Sequence, residues 1–466
     1  MNRLMLTGGR IIDPATGRDE TGDLLIEGGL IARVGAAGKL GPAPPGRSTA
    51  PPGQSPTDRT IDCRGRIVSP GFIDLHVHFR EPPVARAASK VGGADPAALP
   101  ETIETGAAAA VGGGFTTVCA MPNTNPPMDS AEAVAYYIRR GRETGLARVL
   151  PIGAMTRSRA GREPADLAAM KAAGAVAFSD DGSDVADAKV FEAVLRRAAA
   201  IPPSPEGLRR TGGAVAICHC EDARLAAGGI VNDGPMTLAL GLPGIPSEAE
   251  TAAVERACRA STVAGCRVHV AHVSTAGAVE SLRRAKSAGA PVTAEATPHH
   301  LALTHEALRG RESVFKVNPP LRSASDVAAV IEAVRDGTID CLATDHAPHT
   351  AAAKAKGLVA APPGMIGLES ALPVYVRALV EPGVLDWPDL IARLTVNPAR
   401  VLGLPYGTLA VGAAADVTVI DPDEPWVIDP AHFASRARNC PFAGWEVRGR
   451  VKWTLVAGRI VYESRR

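Results

Sequence analysis

Two histidines one residue apart, in the run Asp74-Leu75-His76-Val77-His78, are the sharpest chemical signal in the chain. Along a strand, positions i and i+2 face the same way, so His76 and His78 can chelate one metal ion together. H-x-H alone is a common accident, and its plain alternative is a pair of hydrogen-bonded core histidines. Three more short apolar runs end in comparable groups: AICHCE offers His219, HVAHVS offers His272, and CLATDHAPH offers Asp345 with His346 and His349 behind it. Four imidazoles and a carboxylate form the N/O ligand set of zinc or a similar borderline divalent ion. A second ion would need a bridging anion. AFSDDG supplies Asp180 and Asp181, which alternate across a strand, so only one should face inward.

Other groups carry weaker signals. Cys218 and Cys220 flank His219 and could suggest a thiolate site. Alternation sends both to the face opposite His219, where they read as small buried hydrophobes. His269 should face away from His272, while His299, His300 and His305 read as loop hydrogen-bonding groups and His432 as a surface residue. Arg80, Asn123 in MPNTNPP, Asn318 in KVNPPLR and His349 offer a guanidinium, amides and an imidazole suited to a small carboxylate. Singly, each could equally stabilise a loop.

These residues need a scaffold that gathers strand ends. Short apolar runs recur at 71–79, 116–123, 148–155, 175–182, 214–221, 267–274, 291–298 and 339–348, with helical segments such as SAEAVAYYIRRGRETG and DLAAMKAAG between them. Eight strand–helix units in succession predict an α/β fold, a (β/α)8 TIM-like barrel rather than an open doubly wound sheet. The polar residues sit at the C-terminal ends of the runs, where such a barrel carries its active site. Residues 1–69 and 405–466 read instead as short strands and turns. They predict one small β-sandwich domain built from both termini, around a barrel spanning 70–404. The Pro/Gly/Ser-rich stretch 41–57 reads as an excursion between strands.

Composition narrows the function. The 466 residues carry 50 Lys plus Arg against 49 Asp plus Glu, a net charge of +1 that offers no basic field for nucleic acid. Aromatics at 4% make base-stacking platforms improbable. No uninterrupted apolar run is long enough for a transmembrane helix, and the N-terminus lacks a signal-peptide pattern. Eight cysteines without a C-x-x-C pair read as reduced thiols of a cytoplasmic protein.

In combination, PGFIDLHVHFREP, GGFTTVCAMPNTNPP, AVAFSDDG, CHCED, VHVAHVST, KVNPPLR, IDCLATDHAPH, PPGMIGLESALP and TVNPARVLGL resemble the dihydroorotase family of the amidohydrolase superfamily, in its long bacterial form. The resemblance runs through nearly the whole chain. It implies reversible, zinc-dependent cyclisation of N-carbamoyl-L-aspartate to L-dihydroorotate, a step of pyrimidine synthesis. It implies one or two zinc ions per subunit, with two favoured. Their ligands would be His76, His78, His219, His272 and Asp345, with Asp181 as the bridging carboxylate. Asp345 would also move the proton. Arg80, Asn123 and His349 match positions that hold the substrate carboxylate, Asn318 matches a residue lining the pyrimidine site, and 350–367 matches a segment that covers it.

The fourth strand separates relatives. Hydantoinases and allantoinases place a carboxylated lysine there, whereas AVAFSDDG has none. Departures lie in loops. PVARAASKVGGADPAALPET after Pro82 replaces a shorter family stretch, and 41–57 and RRTGG resemble insertions. The covering segment lacks the usual acidic residue near its start. Two alternatives stay open: another cyclic-amide hydrolase of the allantoinase or hydantoinase type, and a scaffold for aspartate transcarbamoylase. The resemblance also implies a homo-oligomer and a possible complex with that enzyme.

Overall fold

The computed structural model describes residues 3–40, 59–81, 99–202 and 213–464. The 41–57 excursion, most of the stretch after Pro82 and the first residues of RRTGG lie outside the described residues.

All eight predicted runs form strands of one parallel barrel. In chain order these are Phe72–Val77, Phe115–Ala120, Arg148–Pro151 continuing through Gly153–Ala154, Ala177–Ser179, Val215–Cys218, Arg267–Val270, Val292–Ala296 and Cys341–Leu342. Each pairs in parallel with the next. The Ile152 N–H donates to the Ala120 carbonyl at 2.9 Å, which carries the third strand across its break. Closure is made by the eighth run returning to the first. The His78 N–H donates to the His346 carbonyl at 2.9 Å, beside a parallel bridge between Val77 and His346.

The intervening segments form helices for local reasons. Ser130 caps Ala131–Thr144 by accepting from the Ala133 N–H, and Gly145 ends it in the left-handed conformation. Asp187 caps Ala188–Ala199, and a reciprocal Ser323/Asp326 capping box opens Ala324–Arg335. Cys218 and Cys220 pack with Val254, Ala257 and Cys258 of the outer helix layer, whereas Val215 and Ile217 belong to a separate cluster with Ile73 and Cys119. The cysteines are therefore buried hydrophobes, and among the described residues no group able to hold a metal includes one.

Both termini share one sheet, ordered Arg459–Glu463, Glu446–Val456, Val417–Val427, Ile67–Pro70, Arg3–Asp13, Arg18–Glu27, Leu30–Ala36, with Arg59–Asp62 also on Arg3–Asp13. Leu6, Ile11, Leu24, Ile26, Val68, Val417, Val419 and Leu455 form its core. One C-terminal stretch leaves the sheet. Between its two long strands, 428–445 crosses to the barrel rim, where Ile428, Ala437, Cys440 and Phe442 pack on Val317, Leu321, Met365 and Ile366.

Candidate metal centre and substrate groove

Six ionisable side chains meet at the C-terminal ends of barrel strands. His76, His78, Asp181, His219, His272 and Asp345 are all buried, none more than 5% exposed. Two sets of three converge closely enough to hold an ion: His76 with His78 and Asp181, and His219 with His272 and Asp181. Asp181 belongs to both. Its Oδ1 lies 3.3 Å from His76 Nε2, 3.8 Å from His219 Nδ1 and 3.7 Å from His272 Nε2, while Oδ2 lies 3.6 Å from His78 Nε2. Asp345 Oδ1 lies 3.0 Å from His78 Nε2 and 3.5 Å from His76 Nε2. Asp180 points away, accepting from the Met155 and Thr156 N–H groups at 2.9 and 3.1 Å, as strand alternation requires.

The donor set fits a divalent cation. His76 Nε2 and Asp181 Oδ1 are buried and make no hydrogen bond, a costly arrangement for polar atoms unless something charged lies between them. His219 Nδ1 and His272 Nε2 approach to 2.9 Å. Burial, then the neighbouring His272, lowers the His219 pKa to about 3, so its imidazole is neutral and its lone pair free to ligate. Burial opposes charge at Asp181 and Asp345, yet surrounding imidazoles, His76 foremost, hold both carboxyls below the usual range. Both are ionised acceptors at neutral pH. His272 and Asp345 adopt positive φ angles of 36° and 48°, backbone strain of the kind that persists where surroundings over-determine a site.

Buried partners orient these ligands. His76 Nδ1 meets Glu295 Oε1 at 2.8 Å, and Glu295 Oε2 meets His269 Nε2 at 3.1 Å, which directs His76 Nε2 toward Asp181. Asp74 accepts from the His76 N–H at 2.9 Å and the Thr344 hydroxyl at 2.6 Å, tying the first strand to the eighth. Neither Asp74 nor Glu295 was singled out in the sequence. The available signal was an acid inside an apolar run, DLHVH and PVTAEATP, since such groups are rarely buried unless paired.

The other expected residues are placed as follows. Asn123 joins two centre residues: its Oδ1 accepts from His78 Nδ1 at 2.9 Å and its Nδ2 donates to Asp181 Oδ2 at 3.3 Å. Arg80 Nε donates to the Pro348 carbonyl at 3.3 Å, and His349 Nε2 donates to the Pro363 carbonyl at 2.8 Å. Burial, then the Arg80 charge, lowers the His349 pKa to about 3. Asn318 Nδ2 lies 3.4 Å from His219 Nε2, and its Oδ1 is buried without a partner. His300 and His305 make the loop hydrogen bonds expected of them, to Thr297 and the Pro319 carbonyl and to Asn232. His299 does not. Its Nε2 is buried, unpartnered and 3.9 Å from Asp345 Oδ2, which places it in the site.

A family model described as "Dihydro-orotase-like" matches residues 65–278, from the strand before the H-x-H run to just past His272. The dihydroorotase of Pelotomaculum thermopropionicum is 45% identical over 463 residues, covering 99% of each chain. That of Anaeromyxobacter dehalogenans is 46% identical over 464 residues, covering 99% of this chain and 98% of its own. The chain belongs to the dihydroorotase family. Among solved structures, L-hydantoinase (dihydropyrimidinase) from Arthrobacter aurescens superposes with a TM-score of 0.79 at 26% identity, over 99% of this chain and 96% of its own. A D-hydantoinase at 24% identity and TM-score 0.75 shares the fold. The family fold is thus a TIM barrel with a β-sandwich built from both termini. This dihydroorotase-family chain has no helix among its described residues long and apolar enough to cross a membrane.

Proposed function

We propose that the chain is a dihydroorotase, interconverting N-carbamoyl-L-aspartate and (S)-dihydroorotate at a zinc centre held by His76, His78, Asp181, His219, His272 and Asp345. The observation that carries the reading is Asp181, a carboxylate shared by two converging ligand sets on a fourth strand without lysine. Zinc bound there would polarise a carbonyl oxygen and make water nucleophilic near neutral pH. Two ions per subunit suit the two sets.

The chain's own residues supply binding and proton transfer. Arg80, Asn123 and His349 would hold the substrate carboxylate, and Asn318 would face the ring from the His219 side. Asp345 is ionised and lies within reach of both His76 and His78, so it can act as base. In cyclisation it takes a proton from the ureido nitrogen as the C–N bond forms. It then delivers that proton to the departing carboxyl oxygen, which leaves as water with one further proton from solvent. Hydrolysis runs the same transfers backwards. Burial of the cluster keeps bulk water from competing for these protons.

The domain reading is a barrel at 70–404 between sandwich halves at 1–69 and 405–466. Family resemblance extends the proposal to a cytoplasmic homo-oligomer and to association with aspartate transcarbamoylase. Purified protein assayed for dihydroorotate hydrolysis, with zinc measured on the same sample, tests the activity. Turnover of hydantoin or allantoin in preference to dihydroorotate would overturn it.

A further inference from the structure

The turn carrying His349 is held by a residue 90 positions further along the chain. Asn439 lies in the rim-crossing stretch 428–445 and is 6% exposed. Its Oδ1 accepts from the His349 N–H at 3.2 Å, and its Nδ2 donates to the Ala347 carbonyl and the Gly364 carbonyl, both at 3.1 Å. Its own carbonyl accepts from the Ile366 N–H at 3.1 Å. These four bonds go to main-chain groups on both sides of 350–363. The amide orientation is dictated, since one end faces an N–H and the other faces two carbonyls.

The same turn supports the groups assigned to the substrate carboxylate. Arg80 Nε donates to the Pro348 carbonyl, between the two residues that Asn439 holds, and the His349 ring reaches Pro363 beside Gly364. Gly364 has φ of 133°, and a Cβ there would lie 2.8 Å from His349 Nε2, so backbone and ring are closely fitted. Asn439 is itself anchored. Cys440 and Phe442 pack on Met365 and Ile366, and Glu369 accepts from the Ala434 and Ser435 N–H groups at 2.8 and 3.1 Å.

We propose that Asn439 is a positioning residue for the reaction: it staples the two ends of 350–363 and sets the placement of His349 and Arg80 for the substrate carboxylate. The second half rests on the dihydroorotase reading; the staple does not. A main-chain staple from a distant segment fixes both ends of 350–363, so the carboxylate contacts keep their geometry.

The test uses zinc-loaded full-length Asn439→Ala and Asn439→Asp. The aspartate keeps an acceptor for the His349 N–H but sets an oxygen against two carbonyls, so it carries the test should the alanine variant fail to fold. Hydrogen exchange of a 347–366 peptide should speed by about tenfold in either variant, with peptides over 215–220 and 267–273 unchanged. Zinc content should match the parent. KM for dihydroorotate should rise by about tenfold while kcat falls far less, a split that general destabilisation does not produce. A folded, zinc-replete variant with parental exchange overturns the staple. Faster exchange with parental KM overturns the positioning role. A parent that does not turn over dihydroorotate overturns the functional reading instead, and the exchange measurement then decides the staple alone.

Discussion

The strand-end cluster and the covering rim meet at Asp345 and His349, four residues apart, yet they are held by different means. The cluster sits on the barrel ladder. His76 and His78 are aimed by strand alternation, and Asp74 on the same strand and Glu295 on the seventh lock that aim. His349 has no ladder beneath it. Its place comes from Pro363, from Asn439 and from the rim stretch that brings Asn439 over the barrel. In the proposed reaction the ligand and proton-transfer groups lie on the strand ladder, whereas His349 lies on a turn held from outside it.

Four perturbations separate the two parts, beginning on the ladder side. His76→Ala removes a ring whose Nε2 faces Asp181 in one ligand set and whose Nδ1 meets Glu295, so zinc and dihydroorotate turnover should be lost together. Metal analysis with the assay checks this, and an active metal-free variant would defeat the metal-centre assignment. Asp345→Asn keeps the shape and one ligating oxygen but cannot take the proton. It should retain much of its zinc and lose on the order of 10²–10⁴-fold in kcat. A metal-replete variant with near-parental kcat would show that another group moves the proton, and His299, 3.9 Å away, is then the candidate.

On the rim, Arg80→Lys keeps the charge but loses the planar fork. Loss on dihydroorotate of roughly tenfold or more is expected, against little change on dihydrouracil, which lacks the carboxylate. Equal losses on both rings would remove Arg80 from carboxylate binding. The smallest effect concerns Lys354, whose Nζ donates to the carbonyls of Ser313, Lys316 and Pro362 at 3.0, 3.3 and 3.0 Å. Burial, then the Lys316 charge, lowers its pKa from 10.5 to about 7. Once the segment lifts, the amine regains its ordinary value, so the docked form binds fewer protons between pH 7 and 10.5. Docking therefore strengthens as pH rises through that window. Proteolysis within 350–364 should be slower at pH 9 than at pH 7, relative to an unstructured peptide control, and Lys354→Met should abolish the difference.

The sequence by itself determined the barrel, its eight strands and the gathering of His76, His78, His219, His272 and Asp345, because two local rules suffice for that. Side chains alternate along a strand, and polar residues at the C-terminal ends of parallel strands collect at one mouth. The same rules turned Cys218 and Cys220 outward and let only one of Asp180 and Asp181 face in, and the family resemblance pointed to Asp181. Only the tertiary structure decided which carboxylates stand behind the centre, that His299 points into it, and that 428–445 leaves its sheet to place Asn439 against the His349 turn. Those relations join residues far apart in the chain, and one strand's periodicity carries no information about its neighbour's register or about where a long connection docks. His299 shows the limit most plainly. It is one of two adjacent histidines in the same short helix, Pro298–Ala302; His300 spends its nitrogens on Thr297 and Pro319, and the turn of that helix leaves His299 facing Asp345.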